Sequence, residues 1–138
     1  MRQTSLALQV ETKGRGFYEI TRGLAQFVSN AGMAEGLLTV FCRHTSASLL
    51  IQENADPTVL RDLEAVFSKL APEGAPYLHD TEGADDMPAH IRAALTQTQL
   101  SIPLIDGALA LGTWQGVFLF EHRFRPHVRQ IALHLIGA

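Results

Sequence analysis

The sequence predicts one α+β domain over residues 1–138, a largely antiparallel β-sheet with helices packed on it. Strand-like segments gather toward the two ends and helix-like segments toward the middle, an order that favours antiparallel pairing over parallel crossovers. A length of 138 residues fits one domain, and 46% hydrophobic residues supply an ordinary core. No linker, internal repeat or low-complexity segment divides the chain.

Residues 3–11 alternate, with Gln3, Ser5, Ala7 and Gln9 on one side and Leu6, Leu8 and Val10 on the other, the pattern of a half-buried strand. Lys13-Gly14-Arg15-Gly16 reads as a turn. Ile20, Leu24, Phe27 and Val28 then recur at helical spacing, and Gly32 offers a left-handed stop. Gly36 opens a second strand through Cys42, and Leu49-Leu50-Ile51 is a third, short one. Asp56-Pro57 is a helix start, because aspartate caps free amides and proline suits the first helical position. Leu60, Leu63, Phe67 and Leu70 give that helix one apolar stripe, and Pro72 and Gly74 end it. A short helix follows from Pro88 to about Thr98, with Asp85 or Asp86 expected to cap it. Leu100–Ile105 is a strand whose Pro103 implies an edge or a bend. Asp106-Gly107 is a turn, and 112–120 and 128–136 are the last two strands.

Composition excludes several classes. The net charge is −3, so no strong basic field exists for bulk nucleic-acid binding. No apolar run reaches membrane-spanning length and no secretory leader opens the chain, so a cytoplasmic protein without membrane contact is expected. One cysteine, Cys42, rules out an intramolecular disulfide and a cysteine-only zinc site, and its apolar setting reads as a buried thiol. Charged residues are only 18%, which leans toward surface covered by other subunits.

Chemistry concentrates in three stretches. Residues 79–90, His-Asp-Thr-Glu-Gly-Ala-Asp-Asp-Met-Pro-Ala-His, bring two imidazoles and four carboxylates into twelve residues. These are divalent-metal ligands and proton carriers. His79 and His90 are too far apart for a single-helix metalloprotease pair, so a metal there needs His44 or a carboxylate to complete the set. Arg43-His44-Thr45-Ser46-Ala47-Ser48 interrupts apolar strands with hydroxyls. Thr45, Ser46 and Ser48 are candidate phosphate donors, with Arg43 adding charge, and Glu53 and Asn54 follow. Residues 107–121 place glycines around Trp114 and Gln115, a stacking face and a two-way hydrogen-bonding group, and end on Glu121. His122, His127 and His134 read as structural or surface residues. Phosphate loops, dinucleotide fingerprints and nucleophile elbows are missing.

His44-Thr45-Ser46-Ala47-Ser48, Glu53-Asn54-Ala55-Asp56-Pro57, Glu82-Gly83-Ala84-Asp85-Asp86-Met87-Pro88-Ala89-His90-Ile91 and Leu111-Gly112-Thr113-Trp114-Gln115-Gly116 together resemble the YjbQ-like family, also called the secondary thiamine-phosphate synthase family. The resemblance covers nearly the whole chain in the right order. Asp86 stands where members often carry Asn. The resemblance implies an α+β homotrimer with polar pockets near subunit boundaries. It also implies a weak thiamine-phosphate synthase activity, joining a pyrimidine diphosphate to a thiazole phosphate.

Two readings follow. In the first, the protein is an enzyme on a phosphorylated small molecule. His44, Glu53, Asn54, Asp85, His90, Trp114, Gln115 and Glu121 carry catalysis, and Thr45, Ser46 and Ser48 hold phosphate. His44, His79 and His90 bind a divalent metal such as zinc or magnesium. In the second, the same pocket binds a metal or metabolite without turnover.

Overall fold

A computed structural model describes residues 1–138. The N-terminal alternation becomes β1 (Arg2–Thr12), which pairs along its whole length with β8 (His127–Gly137), from Arg2 opposite Gly137 to Thr12 opposite His127. The two ends of the chain are thus adjacent strands. With β3 (Gly36–Cys42), β5 (Gln99–Ile105) and β6 (Ala108–Leu109), they form an antiparallel sheet of order β1-β8-β3-β5-β6. A second antiparallel sheet, of order β2-β7-β4, is built from β2 (Gly16–Glu19), β7 (Gln115–Glu121) and β4 (Ala47–Glu53). The sheets are joined where Leu49 and Gln97 exchange backbone hydrogen bonds of 2.6 and 3.1 Å.

The inner faces of both sheets meet in one core. Leu38, Val40, Leu49, Val117, Leu119, Ile131 and Leu133 all lie in it, each at most 1% exposed. α1 (Thr21–Ala31) adds Leu24, Phe27 and Val28 to that core and stops at Gly32, whose φ of 65° is the left-handed cap the sequence predicts. α2 (Pro57–Leu70) begins as expected, with Asp56 Oδ1 accepting the Thr58 N–H at 2.9 Å. It lies across the other face of β7, where Phe67 meets Phe120 edge-on with ring centroids 5.4 Å apart. Its stripe is only half-buried, and Leu70 remains exposed. β7 is therefore covered on both faces. Val117, Leu119 and Glu121 point into the shared core, and Phe118, Phe120 and His122 lie on the opposite side.

Three elements differ from the sequence reading. β2 replaces the end of a predicted turn, because Phe17 and Tyr18 pair with Phe120 and Leu119 in a strand too short to show alternation. The predicted Asp106-Gly107 turn forms, and the two residues after it pair back on β5 as β6, which the sequence reading does not include. α3 spans Asp86–Leu95 rather than 88–98, since Gln97 and Thr98 are taken by backbone bonds to Leu49 and Cys42. Neither carboxylate caps α3 with its side chain. Asp85 occupies the cap position, but its carboxylate turns to Arg123 and the Phe124 N–H. Pro103 is tolerated because β5 has only two-residue β6 on its far side.

Gly36 and Gly137 face each other across β3 and β8, and a Cβ on Gly36 would stand 2.5 Å from the Ile136 carbonyl oxygen. Gly36→Ala should therefore lower stability by about 1–3 kcal/mol. A urea titration with an unchanged slope and a lower midpoint would show it.

Candidate functional site

The helix α3 turns its first and fifth residues to one side, so Asp86 and His90 stand one turn apart on the same face. The loop before α3 brings His79 to the same point. Asp86 Oδ2 lies 2.6 Å from His79 Nε2 and 3.3 Å from His90 Nε2, and the ligating atoms of the three side chains all lie within 4.8 Å of one another. Asp86 is 3% exposed, while His79 is open to solvent and His90 half-buried. Glu82 Oε2 is 3.3 Å from His79 Nε2 at the rim. Two imidazoles and a carboxylate form the donor set of zinc and related divalent ions.

Charge is tuned accordingly. The hydrogen bond that His79 donates to Asp86 raises the His79 pKa above the ordinary imidazole value. Burial opposes ionisation of Asp86, but the His79 hydrogen bond and the Arg123 charge outweigh it and hold the carboxyl below its usual range. The site thus keeps an anionic oxygen between two imidazole nitrogens.

His90 also lines an open cleft of about 630 Å³, shared with Arg43, His44, Thr45, Ala94 and Thr98. His79 lines a smaller cavity of about 270 Å³ with Tyr77, Asp80 and Met87. The cluster is a wall between two hollows.

His44 reaches the cleft but not the cluster. Its Nε2 accepts the Gln130 N–H at 2.8 Å, so a neutral ring carries its proton on Nδ1 and has no lone pair left for a metal. Burial and then the Arg129 charge lower its pKa, which favours that neutral form. This removes His44 from the predicted metal set, and Asp86 stands in its place. The i, i+4 spacing of Asp86 and His90 on one helix was the signal available.

The predicted phosphate donors separate. Thr45 is exposed on the cleft. Ser46 gives its Oγ and carbonyl to Arg129, at 3.0 and 3.2 Å. Ser48 is 1% exposed and spends its hydroxyl on His122 Nε2 (2.8 Å) and Thr96 Oγ1 (2.5 Å), so it faces no ligand. His122 is wholly buried, and desolvation, followed by the charges of Arg92, Arg15 and Arg129, pushes its pKa down to about 3.

Glu121, expected to carry catalysis, is enclosed in the core. It is 0% exposed and takes the guanidinium of Arg129 on both oxygens, with Thr12 Oγ1 donating at 2.6 Å. Burial raises its pKa, but the Arg129 and Thr12 hydrogen bonds outweigh that and keep it ionised. It supports the site from beneath and faces no cleft. Asp85 is likewise 8% exposed and held by Arg123.

The remaining candidates gather elsewhere. Glu53 Oε2 accepts the Asp56 N–H at 3.2 Å. Asn54 donates from Nδ2 to Glu19 Oε2 at 3.1 Å and from its backbone to the Trp114 carbonyl at 3.0 Å. Gln115 Oε1 closes its own turn on the Gly112 N–H at 2.7 Å, and Trp114 is 63% exposed. This group sits at the start of β7, whereas Arg123, which touches Asp86, follows its end. At the usual strand rise the two ends are about 20 Å apart. Within one chain, then, the cleft and the Trp114 group do not meet. Arg123, Arg129 and Glu19, none of which the sequence singles out, are the residues that organise the two places.

The fold and this cluster define a small α+β protein with a His-Asp-His donor set beside an open cleft. The chain belongs to the UPF0047 protein YjbQ-like family, whose model matches residues 6–138. It is 54% identical to the UPF0047 protein sll1880 of Synechocystis, covering 99% of this chain and 93% of that one. The YjbQ protein of Salmonella typhimurium is 45% identical, covering 94% of this chain and 95% of that one. Among solved structures, a conserved hypothetical protein of Thermus thermophilus superposes with a TM-score of 0.84 at 37% identity, covering 95% of this chain and 99% of that one. A YbjQ-like protein of unknown function from Sulfolobus solfataricus superposes at 0.88 with 20% identity, over 99% of this chain and 100% of that one, and attests the fold.

Two stability measurements check the buried network. Arg129→Ala strands a buried carboxylate and should cost about 3–5 kcal/mol in a denaturant titration. His122 is neutral in the fold yet protonates near pH 6.5 when unfolded, so the unfolded chain binds the extra proton between pH 6.5 and about 3. Its contribution is complete above pH 6.5 and is lost as the pH falls, at about 1.4 kcal/mol per unit. His122→Asn should flatten the acid limb of stability against pH, and an unchanged limb would refute the assignment.

Proposed function

We propose that the protein is an enzyme acting on a phosphorylated small molecule, with a divalent metal held by His79, Asp86 and His90. The observation that carries this reading is Asp86 Oδ2 lying between the two imidazole nitrogens at the wall of the cleft. A divalent ion there would supply positive charge where a phosphate or diphosphate leaves. Arg43 and Thr45 line the cleft and would bind phosphate oxygens, and the His44 Nδ1–H, fixed by the tautomer, would donate a further hydrogen bond. The arrangement suits the reaction that the family resemblance implies, the joining of a pyrimidine diphosphate to a thiazole phosphate with loss of diphosphate.

The same reading takes the protein as a homotrimer in which Trp114 and Gln115 of one copy close the cleft of another. The outer face of the first sheet supports this. Leu37, Phe41, Val128 and Ile136 are 39–54% exposed there, Leu37 lies opposite Ile136 and Phe41 opposite Ala132, and Phe41 continues to the cleft rim. Trp114, remote from its own cleft, would then stack on a ring bound in a neighbour's.

A second reading, a metal- or metabolite-binding protein without turnover, is favoured by one observation. Glu53 and Glu121, the two glutamates expected to carry catalysis, both lie away from the cleft.

Elemental analysis of untagged protein tests the metal. Near-stoichiometric zinc, manganese or magnesium is expected in wild type and its loss in His90→Ala, with the fold retained. Metal-free wild type after exposure to all three ions would reject the assignment. Rescue of a thiamine-requiring strain at near-native expression favours the enzyme, and its failure by a metal-loaded protein favours the binder.

A further inference from the structure

We propose that Arg123 is the positioning residue of the metal cluster, the side chain that fixes which oxygen Asp86 offers. This rests on the reading of His79, Asp86 and His90 as metal ligands.

The guanidinium of Arg123 is spent entirely on the segment that carries the cluster. Its Nη1 donates to Asp86 Oδ1, its Nε to Asp85 Oδ2 at 3.1 Å, and its Nη2 to the Glu82 carbonyl at 2.9 Å. The adjoining Phe124 N–H donates to the same Asp85 oxygen at 2.9 Å. One planar fork therefore gathers three acceptors between residues 82 and 86. Lysine, a single point charge, cannot reproduce that fork.

The consequence for Asp86 is specific. With Oδ1 held by Arg123, Oδ2 is the oxygen left to face both His79 and His90. The carboxylate is thereby set to bind an ion through one oxygen, which leaves more of the coordination sphere for water or substrate. Freed of Arg123, it could rotate or offer both oxygens.

Arg123 is itself held from below. Its backbone N–H donates to Glu121 Oε2 at 3.2 Å, beside the His122 N–H at 3.0 Å. Glu121 is clamped by Arg129 and Thr12 in the core. A continuous line of polar contacts thus runs from the buried pair to the outer oxygen of Asp86. Groups that orient a metal-binding carboxylate in this way typically govern affinity by about 10–100-fold.

The test titrates metal-free wild type, Arg123→Ala and Arg123→Lys with cobalt(II), following the visible absorption of the ion and thermal unfolding of each protein. Wild type should take up one cobalt per chain. Arg123→Ala should remain folded and bind about 10–100-fold more weakly with an altered cobalt spectrum, and millimolar guanidinium should restore affinity and spectrum. Arg123→Lys, the fallback should the alanine variant unfold, should show the same weakening in part. Wild-type affinity and spectrum in both variants would overturn the positioning role and leave the metal site standing. Weakened binding with a wild-type spectrum and no guanidinium rescue would reduce Arg123 to a structural clamp and also overturn the role. Failure of wild type itself to bind cobalt or zinc would overturn the metal reading, and this inference with it.

Discussion

The buried ion pair between Glu121 and Arg129 holds the molecule together at the point where its parts converge. Glu121 is the last residue of β7, in one sheet, and Arg129 lies near the start of β8, in the other. Thr12, at the end of β1, and Ser46, just before β4, add their groups to the same pair. Taking two charges out of water carries a desolvation cost of several kcal/mol each, which the geometry offsets by satisfying both carboxylate oxygens. The interaction adds little to net stability over an apolar pair of equal volume. It specifies instead how the two sheets meet.

That specification reaches the surface through the two residues after Glu121. Their amides are held by the same carboxylate, so the chain leaves β7 on a fixed course and presents Arg123 to the loop before α3. The loop carries opposed charges at close quarters, and without a cation in their midst Asp85 and Asp86 would repel one another. A site built from a short helix, a loop and a strand end gains its geometry from the least exposed charges in the molecule.

The sequence made the longer elements legible because they announce themselves locally. Asp56-Pro57 and Gly32 are punctuation readable from single residues, and the stripes of α1 and α2 are periodic. β2 and β6 escaped because four and two residues carry no period. In the site, the residue types of 79–90 mark the stretch that carries the His79-Asp86-His90 cluster, but the partner of the two histidines depends on which side of α3 faces the loop. Ser48 and Glu121 were misread for one reason. Each is a polar residue in a strand, and only its position relative to apolar neighbours tells inside from outside. Glu121 shares the parity of Val117 and Leu119, which is a core position. Arg123 and Arg129 had no local signal at all, since their partners lie 37 and 8 residues away and meet them only through the tertiary fold.

Cys42 has a use that its chemistry alone does not suggest. It is the chain's one cysteine, 1% exposed, with its Sγ turned to the Ala47 carbonyl at 3.4 Å, and burial raises its pKa. A protonated, enclosed thiol does not react with alkylating reagents. It becomes reactive when β3 parts from the residues around it. Its labelling rate is therefore a built-in clock for the opening of the central strand next to the cleft, on timescales where no dye or engineered probe is needed.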